Sequence, residues 1–341
     1  HNGSLERALT MVDAAAATGC DAIKIQTYTA DTITMDVDRP EFRIHGGLWD
    51  GRSLYELYQE AQTPFEWHAA IFARAAKLGV TIFSSPFDET AVDLLDGLGA
   101  AAYKIASFEA VDLPLIRYAA AKGKPLIIST GMANLAEIAA ARTAALDAGA
   151  PGVVLLHCVS SYPAVMEDAN VRNVADMAQR FDSPIGLSDH THGTAASVAA
   201  IAMGASVIEK HFTLARADGG PDAAFSLEPA EFTALVRDCK DAWKALGRVH
   251  PRHKSPYVSA MGVGLLWAVA TVVFTLLGVA PEALYPIASG SGTFSVLLLM
   301  FITSFAVLVD FVRRRRFAPE SVCKTIVEPI VSVPFTFHGE A

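Results

Sequence analysis

Two lysines lie within apolar, β-branched segments, where a charged side chain is unusual. Lys24 belongs to the run AIKIQT and Lys104 to the run AYKIAS. Burying an ammonium group is costly unless an anion compensates it, so each lysine needs either a core carboxylate or a bound anion. Comparable runs end in a serine hydroxyl, at Ser85, Ser107, Ser129 and Ser188. Ammonium groups and hydroxyls in this number favour a site for a small, multiply charged anion such as a phosphate or carboxylate compound.

Two histidines end consecutive runs of the same kind, His190 and His211. Adjacent strands lie about 4.8 Å apart, so both imidazoles could reach one divalent ion, with water and substrate as further ligands. The alternative is that each histidine is an ordinary hydrogen-bonded polar residue. Glu209, two residues before His211, shares its side of a strand and could bind substrate or orient the metal ligands. A Gly-Gly-Pro-Asp turn presents Asp222 towards the same edge.

The elements that must position these residues follow a regular alternation over residues 1–247. Short apolar runs separated by Ala-rich helical segments predict parallel βαβ units. The predicted strands are Ala22–Thr27, Thr81–Phe87, Ala102–Ser107, Pro125–Thr130, Val153–Cys158, Ile185–His190 and Val207–Phe212. A doubly wound open sheet could also bind ligands at strand ends. Polar residues at the ends of all these runs favour instead an α/β fold of the (β/α)₈ TIM-barrel type, with its active site at the C-terminal strand ends.

Two features modify this barrel. The first visible element is a helix that follows His1-Asn2-Gly3, so we expect the barrel to lack its first strand. The connection 28–63 is long for a βα loop and contains GGLWDG (46–51) and LYELY (54–58). Long loops at the catalytic face commonly act as lids or specificity elements, although a packing insertion is the alternative.

Charge and cysteine usage restrict the partners. The net charge is −9 over 341 residues, and residues 248–341 hold eight Lys/Arg against five Asp/Glu, so the acidic excess lies in residues 1–247. An acidic body argues against nucleic acid as a partner. The four cysteines show no C-x-x-C spacing, which favours reduced thiols in a cytoplasmic protein.

The composition changes near Gly247. Tyr257–Val279 and Ser291–Val309 are uncharged runs of 23 and 19 residues, each long enough to span about 30 Å of hydrocarbon. Basic residues at the outer ends predict a transmembrane hairpin with both ends in the cytoplasm. The alternative is a pair of buried helices in a soluble domain. We therefore predict a barrel domain at 1–247 and a membrane hairpin with a tail at 248–341.

The strand-end motifs of residues 1–247 resemble those of the sialic acid synthases. They are KIQ (24–26), SSPFD (84–88), YKIAS (103–107), STGM (129–132), SSYP (160–163), GLSDHT (186–191), EKHF (209–212) and GGPD (219–222). Within that family, the segments 46–68, 160–170 and 219–227 are most similar to the pseudaminic acid synthase branch. The N-acetylneuraminate and legionaminate branches are the alternatives.

The resemblance implies a metal-dependent condensation of phosphoenolpyruvate with a 2,4-diacetamido-2,4,6-trideoxy-altrose. By family position, phosphoenolpyruvate would be held by Lys24, Ser85, Lys104, Ser107, Ser129, Tyr162 and Ser188. His190 and His211 would bind Mn²⁺ or Mg²⁺, and Glu209 and Asp222 would contact the amino sugar. Glu209 and Lys104 would be the catalytic residues. The resemblance also implies a homodimer.

Residues 248–341 resemble a C-terminal fragment of an amino-acid permease. The family further carries a glutamate on the first strand and a small C-terminal antifreeze-like domain, and neither is present in this sequence. These features indicate either a joined gene model or a membrane-tethered synthase. An alternative of another class is a membrane-anchored inactive binding module that keeps the anion site.

Overall fold

The computed structural model of the chain describes residues 1–246, which lie in a compact unit of His1–Gly247. The predicted hairpin segments 257–279 and 291–309 and the permease-like region lie outside the described residues. Within residues 1–246, no helix combines the length and the apolar character needed to cross a membrane. Membrane attachment through the C-terminal region therefore stays a prediction.

Seven parallel strands form one sheet in which they follow chain order. They are β1 (Ala22–Thr27), β2 (Thr81–Pro86), β3 (Tyr103–Ile105), β4 (Leu126–Ser129), β5 (Val153–Cys158), β6 (Ile185–Asp189) and β7 (Val207–Lys210). Every neighbouring pair is parallel. Each observed strand falls within one predicted segment, so the predicted parallel α/β architecture is confirmed. Several predicted segments extend one or two residues too far, because His190, His211 and other polar residues follow the strand ends.

Helices connect the strands and pack against the sheet and each other. They are α1 (Leu5–Ala17), α2 (Ala30–Ile33), α3 (Leu54–Ala61), α4 (Phe65–Leu78), α5 (Glu89–Gly97), α6 (Leu113–Ala120), α7 (Leu135–Asp147), α8 (Arg172–Arg180), α9 (Ala195–Ala202) and α10 (Pro229–Ala245). Side-chain caps determine several helix starts. In α7, for example, Asn134 Oδ1 accepts from the Glu137 backbone N–H at 3.1 Å, and Glu137 Oε2 accepts from the Asn134 N–H at 2.8 Å.

The sheet curls until its two edge strands approach each other. In a flat sheet, the first and seventh strands would lie about 29 Å apart at the usual strand spacing. Here Lys24 Nζ on β1 lies 2.6 Å from Glu209 Oε1 on β7. Within residues 1–246, β1 and β7 are nevertheless the unpaired edges of the ladder. The described fold is thus an incomplete, TIM-like barrel, and within residues 1–246 no strand precedes α1.

A glycine allows close contact between the last two strands. A Cβ atom at Gly186 in β6 would lie 2.3 Å from the Val207 carbonyl oxygen and 2.6 Å from Leu156 Cδ2. Only glycine therefore fits without a backbone shift. The contact keeps β7 close to β6, which sets the separation of the residues that follow these strands, His190 and His211.

Candidate active site

Two lysines and one glutamate from distant parts of the chain meet at the C-terminal strand ends. Glu209 Oε1 lies 2.6 Å from Lys24 Nζ and 3.7 Å from Lys104 Nζ. Ser188 Oγ donates to the same oxygen at 3.2 Å, and Lys104 Nζ donates to Ser129 Oγ at 2.8 Å. The lysines therefore do contact a carboxylate, as one of the sequence alternatives proposed. Two cations share a single carboxylate, so the cluster keeps a net positive charge that can attract an anion.

Burial and charge determine the ionisation of this cluster. Burial lowers the pKa of Lys104 to about 8, although Glu209 acts in the opposite direction. Burial alone would raise the pKa of the Glu209 carboxyl, but the charges of Lys104 and Lys24 lower it well below its ordinary value. Glu209 is thus ionised at neutral pH and holds the two ammonium groups in place.

All four predicted serines are buried, and the hydroxyls of Ser129 and Ser188 bond directly to the cluster. Ser107 Oγ accepts from the Gly131 backbone N–H at 3.2 Å. Ser85 is fully buried, and its Oγ has no hydrogen-bond partner among the described residues. A buried hydroxyl without a partner is uncommon in native proteins and indicates a missing ligand or water. Ser85 stays a predicted ligand of the anion.

The two predicted metal-binding histidines lie next to each other, with ring centroids 5.3 Å apart. His190 Nδ1 donates to the Val159 carbonyl at 2.9 Å. His211 Nδ1 lies 3.5 Å from Asp222 Oδ2. The Val159 carbonyl can only accept, so its bond to His190 uses a proton on Nδ1, and Nε2 is the ring nitrogen left for a ligand. Asp222 lies beside the corresponding atom of His211, an arrangement also found where carboxylates orient metal-binding histidines. The donor chemistry of the pair fits Mn²⁺ or Mg²⁺ only when oxygen ligands complete the shell.

The described residues do not complete such a shell by themselves. Among residues 1–246, no group of three or more histidine, cysteine or carboxylate side chains is arranged to hold a metal ion. Two imidazoles would therefore need oxygen ligands from solvent and substrate. Metal binding by this pair stays a prediction.

Tyr162 lies beside the imidazole pair. Its ring centroid is 4.4 Å from that of His190 and 6.4 Å from that of His211. Phe225 packs against Tyr162 at 5.7 Å and against His211 at 4.9 Å. The site thus has a charged part formed by the lysines and serines and an aromatic part around the histidines. The two predicted sugar-binding carboxylates are divided between them: Glu209 contacts the lysines and Asp222 contacts His211.

Two other polar strand ends have structural roles instead. Asp189 Oδ2 on β6 lies 2.9 Å from Lys210 Nζ on β7, and both side chains are only 1% exposed. His157 Nε2 donates to the Ala169 carbonyl at 2.9 Å. Asp189 and Lys210 pair with each other, and His157 bonds to the backbone. A polar residue at a strand end is therefore not by itself evidence that the residue belongs to the active site.

Sequence reasoning missed Glu109, which follows β3 in the turn Phe108–Val111. Its Oε2 is buried and has no hydrogen-bond partner among residues 1–246. Burial raises the pKa of Glu109 to about 7, although Lys104 acts in the opposite direction. The only sequence signal was a carboxylate two residues after Ser107. Glu109 is therefore a candidate for proton exchange near neutral pH.

The raised pKa of Glu109 predicts a pH-dependent stability. The unfolded carboxyl ionises near its ordinary value of 4.5, and the folded one near about 7. Between these values the folded state binds more protons, so this group lowers the free energy of unfolding as pH rises. We expect Glu109→Gln to gain stability relative to the unmodified chain between about pH 5 and about pH 7.5 in urea unfolding. Glu167→Gln, at an exposed position, is the control, and an equal difference at both pH values would contradict the assignment.

The sequence of the chain is similar to that of a known protein family and of several characterised enzymes. The model of the NeuB family matches residues 11–251 of the chain. Pseudaminic acid synthase of Campylobacter jejuni subsp. jejuni serotype O:2 is 46% identical over 247 residues, which are 72% of this chain and 72% of that protein. N,N'-diacetyllegionaminic acid synthase of Legionella pneumophila subsp. pneumophila is 38% identical over 256 residues, covering 72% of this chain and 70% of that protein.

A solved structure shows the same similarity. N-acetylneuraminic acid synthetase from Leptospira borgpetersenii serovar Hardjo-bovis, in complex with citrate, has a TM-score of 0.68 at 31% identity and covers 77% of this chain and 87% of that one. The family match extends over most of the chain and includes every strand-end residue of the site from Lys24 to Asp222. The chain therefore belongs to the NeuB family, the sialic acid synthases that its strand-end motifs resemble.

Proposed function

We propose that the chain condenses phosphoenolpyruvate with a 2,4-diacetamido-2,4,6-trideoxy-altrose to form pseudaminic acid and phosphate. The observation that carries this proposal is the cluster in which the partly buried Lys24 and the buried Lys104 share Glu209 beside the His190–His211 pair. Such a cluster suits a small trianion next to a second, uncharged substrate. The pseudaminic acid synthase of C. jejuni, at 46% identity, supports this acceptor over that of the legionaminic acid synthase, at 38%.

The reaction forms one C–C bond and one C–O bond and breaks the C–O bond to the phosphate group. The methylene carbon of phosphoenolpyruvate attacks the aldehyde carbon of the open-chain sugar, whose oxygen becomes a hydroxyl by taking up a proton. Water adds to the enol carbon, and the C–O bond to the phosphate group then breaks. The products are phosphate and a nine-carbon 2-keto acid.

The residues of the chain account for binding and charge. Lys24 and Lys104 neutralise the carboxylate and phosphate of phosphoenolpyruvate, and Ser85 donates a hydrogen bond to it. Ser107, Ser129, Ser188 and Tyr162 are the other proposed ligands. Glu209 keeps the ammonium groups oriented before the substrate arrives, which reduces the reorganisation needed during the reaction. Asp222 and Glu209 would bind the sugar hydroxyls.

We include a divalent metal in this proposal, with His190 and His211 as its ligands. When bound there, Mn²⁺ or Mg²⁺ would supply Lewis-acid polarisation of the sugar aldehyde. The Val159 carbonyl would orient His190, and the Asp222 carboxylate would orient His211, each by its contact with the Nδ1 atom of the imidazole.

The test is an assay of the full chain with phosphoenolpyruvate, the diacetamido sugar and Mn²⁺. We expect release of phosphate and formation of the nine-carbon acid, detected by mass spectrometry. A preference for N-acetylmannosamine as acceptor would contradict the pseudaminic assignment. Measurable phosphoenolpyruvate binding without turnover would favour the alternative of an inactive binding module.

Two neighbouring serines give a sharper test of the anion site. Ser84 Oγ is satisfied, since it donates to the Ile25 carbonyl at 3.0 Å and lies 2.6 Å from Thr27 Oγ1, whereas Ser85 Oγ has no partner among the described residues. A hydrogen bond to a charged group contributes about 1.5–3 kcal/mol. We therefore expect Ser85→Ala to raise the Kd for phosphoenolpyruvate by about tenfold or more without lowering the stability of the free chain.

The matched variant Ser84→Ala should behave in the opposite way. It should lower the free energy of unfolding by about 1–2 kcal/mol and leave the Kd nearly unchanged. Isothermal titration and urea unfolding of both variants provide the comparison. If Ser85→Ala binds phosphoenolpyruvate as tightly as the unmodified chain, Ser85 is not a ligand.

A further inference from the structure

The long connection between β1 and β2 contains a small closed loop formed by residues 43–53. An antiparallel bridge joins Arg43 to Ser53 at its base. Within it, the Ile44 N–H donates to the Arg52 carbonyl at 2.9 Å, and the Gly51 N–H donates to the Ile44 carbonyl at 2.8 Å. These bonds make the 43–53 loop a compact unit that can hold one side chain in a defined place.

That side chain is Trp49, which contacts both sides of the aromatic part of the site. Its indole Nε1 donates to the Pro221 carbonyl at 2.9 Å. Its ring centroid lies 5.9 Å from that of Tyr162, which itself lies 4.4 Å from that of His190. Pro221 immediately precedes Asp222, the partner of His211. A single half-buried indole thus connects the 43–53 loop to residues on both sides of the imidazole pair.

Trp49 is not among the residues proposed to bind the anion or the metal. The lysines and serines account for an anion, and the histidines for a metal. Trp49 and Tyr162 instead present aromatic surface next to the imidazoles, where an acceptor substrate would approach. The face of the Trp49 ring stabilises apolar groups that leave water, and it provides no strong hydrogen-bond partner for a hydroxyl that loses its water.

This surface matches one class of acceptor sugar. A 2,4-diacetamido-2,4,6-trideoxy sugar carries a second acetamido methyl at C4 and a methyl group at C6. N-acetylmannosamine has hydroxyls at these two positions. We propose that Trp49 is a positioning residue that packs against the C4 acetamido or C6 methyl group of the acceptor and thereby selects it over the hydroxylated sugar. This inference rests on the proposed function.

The experiment compares Trp49→Ala with Trp49→Phe, which keeps an aromatic ring but loses the N–H bond to Pro221. Trp243→Phe, at an exposed position on α10, is the control for the loss of one tryptophan. Kinetics with both acceptors give KM and kcat for each substrate. Isothermal titration measures acceptor binding independently of turnover.

We expect Trp49→Ala to raise the acceptor KM about tenfold, in the range observed for loss of apolar contacts in a specificity pocket. The KM for phosphoenolpyruvate should stay within about twofold, and the preference for the diacetamido sugar should fall about tenfold. Trp49→Phe should keep most of that preference. The Kd for the diacetamido sugar should rise in Trp49→Ala, rise less in Trp49→Phe and stay unchanged in Trp243→Phe.

Either of two results would overturn the inference. One is an unchanged acceptor preference in Trp49→Ala. The other is a parallel rise in both KM values, which would indicate a general structural role. Failure of the proposed function is a separate result, because it is seen in the unmodified chain, either as no turnover with either acceptor or as a preference for N-acetylmannosamine. If the unmodified chain binds the acceptor without turnover, the Kd values for the two sugars from isothermal titration still decide whether Trp49 selects between them.

Discussion

Replacing Lys104 by methionine is expected to lower kcat/KM for phosphoenolpyruvate by about 10²- to 10³-fold, the usual effect of removing one preorganised charge-stabilising group. Lys104 is 2% exposed and contributes one of the two ammonium groups near Glu209. Methionine retains the apolar stem but not the charge, so Glu209 and Lys24 would form a neutral pair with little attraction for a trianion. Phosphate release at several substrate concentrations measures the effect.

Lys122→Met is the matched control, because Lys122 forms a partly exposed pair with Asp93 at 2.7 Å, and such surface pairs contribute little. It should behave like the unmodified chain. If Lys104→Met retained the original kcat/KM, the charged cluster would not be the phosphoenolpyruvate site.

The lowered pKa of Lys104 adds a second signature. Because burial lowers its pKa to about 8, free Lys104 loses its proton as pH rises through that value. Affinity for phosphoenolpyruvate should therefore decrease above about pH 8, and this decrease should be absent in Lys104→Met. An identical pH profile for both proteins would show that another group controls binding.

Replacing His190 by alanine is expected to abolish metal-dependent turnover and to weaken Mn²⁺ binding by more than about 100-fold. Loss of a residue that only orients a ligand commonly costs about 10- to 100-fold in metal affinity, and loss of the ligand itself should cost more. His190 is 6% exposed, and its Nδ1 proton is engaged with Val159, so Nε2 is the atom available to a metal. Mn²⁺ binding followed by electron paramagnetic resonance gives a readout independent of activity.

The adjacent exposed histidine provides the control. His192→Ala makes the same substitution two residues along the chain, at an exposed position, and should leave Mn²⁺ binding unchanged. His190→Asn keeps a donor for the Val159 carbonyl and separates metal loss from local unfolding. Unchanged Mn²⁺ affinity in His190→Ala would refute the assignment of this ligand.

The Lys24–Glu209–Lys104 arrangement shows that the two alternatives for the lysines, pairing with a carboxylate and binding an anion, are compatible. The sequence left open whether each lysine meets a core carboxylate or a bound anion. In the structure one carboxylate serves both lysines, at 2.6 Å and 3.7 Å. This partly compensates the cost of burying two ammonium groups while leaving one positive charge for a ligand. A single carboxylate between two lysines is thus suited both to stability in the free state and to anion binding.

The sequence alone determined the parallel βα alternation and showed which polar residues lie at or near the C-terminal ends of the strands. Strand periodicity places residues two apart on one side, and parallel strands all end at one edge of the sheet. That logic was sufficient to identify Lys24, Lys104, His190 and His211 as neighbours, although nearly two hundred residues separate the first from the last. It could not separate these from Asp189 and His157, which end strands equally well but bond within the fold.

Only the tertiary structure decided which polar atoms have partners and which are left for a ligand. Ser84 and Ser85 are adjacent and equally buried, yet only Ser84 has hydrogen-bond partners among residues 1–246. Glu109 and Trp49 lie outside the strands, so periodicity says nothing about them. Their places depend on the curl of the sheet and on the closed 43–53 loop. Both are products of many long-range contacts, and no local pattern in the chain encodes them.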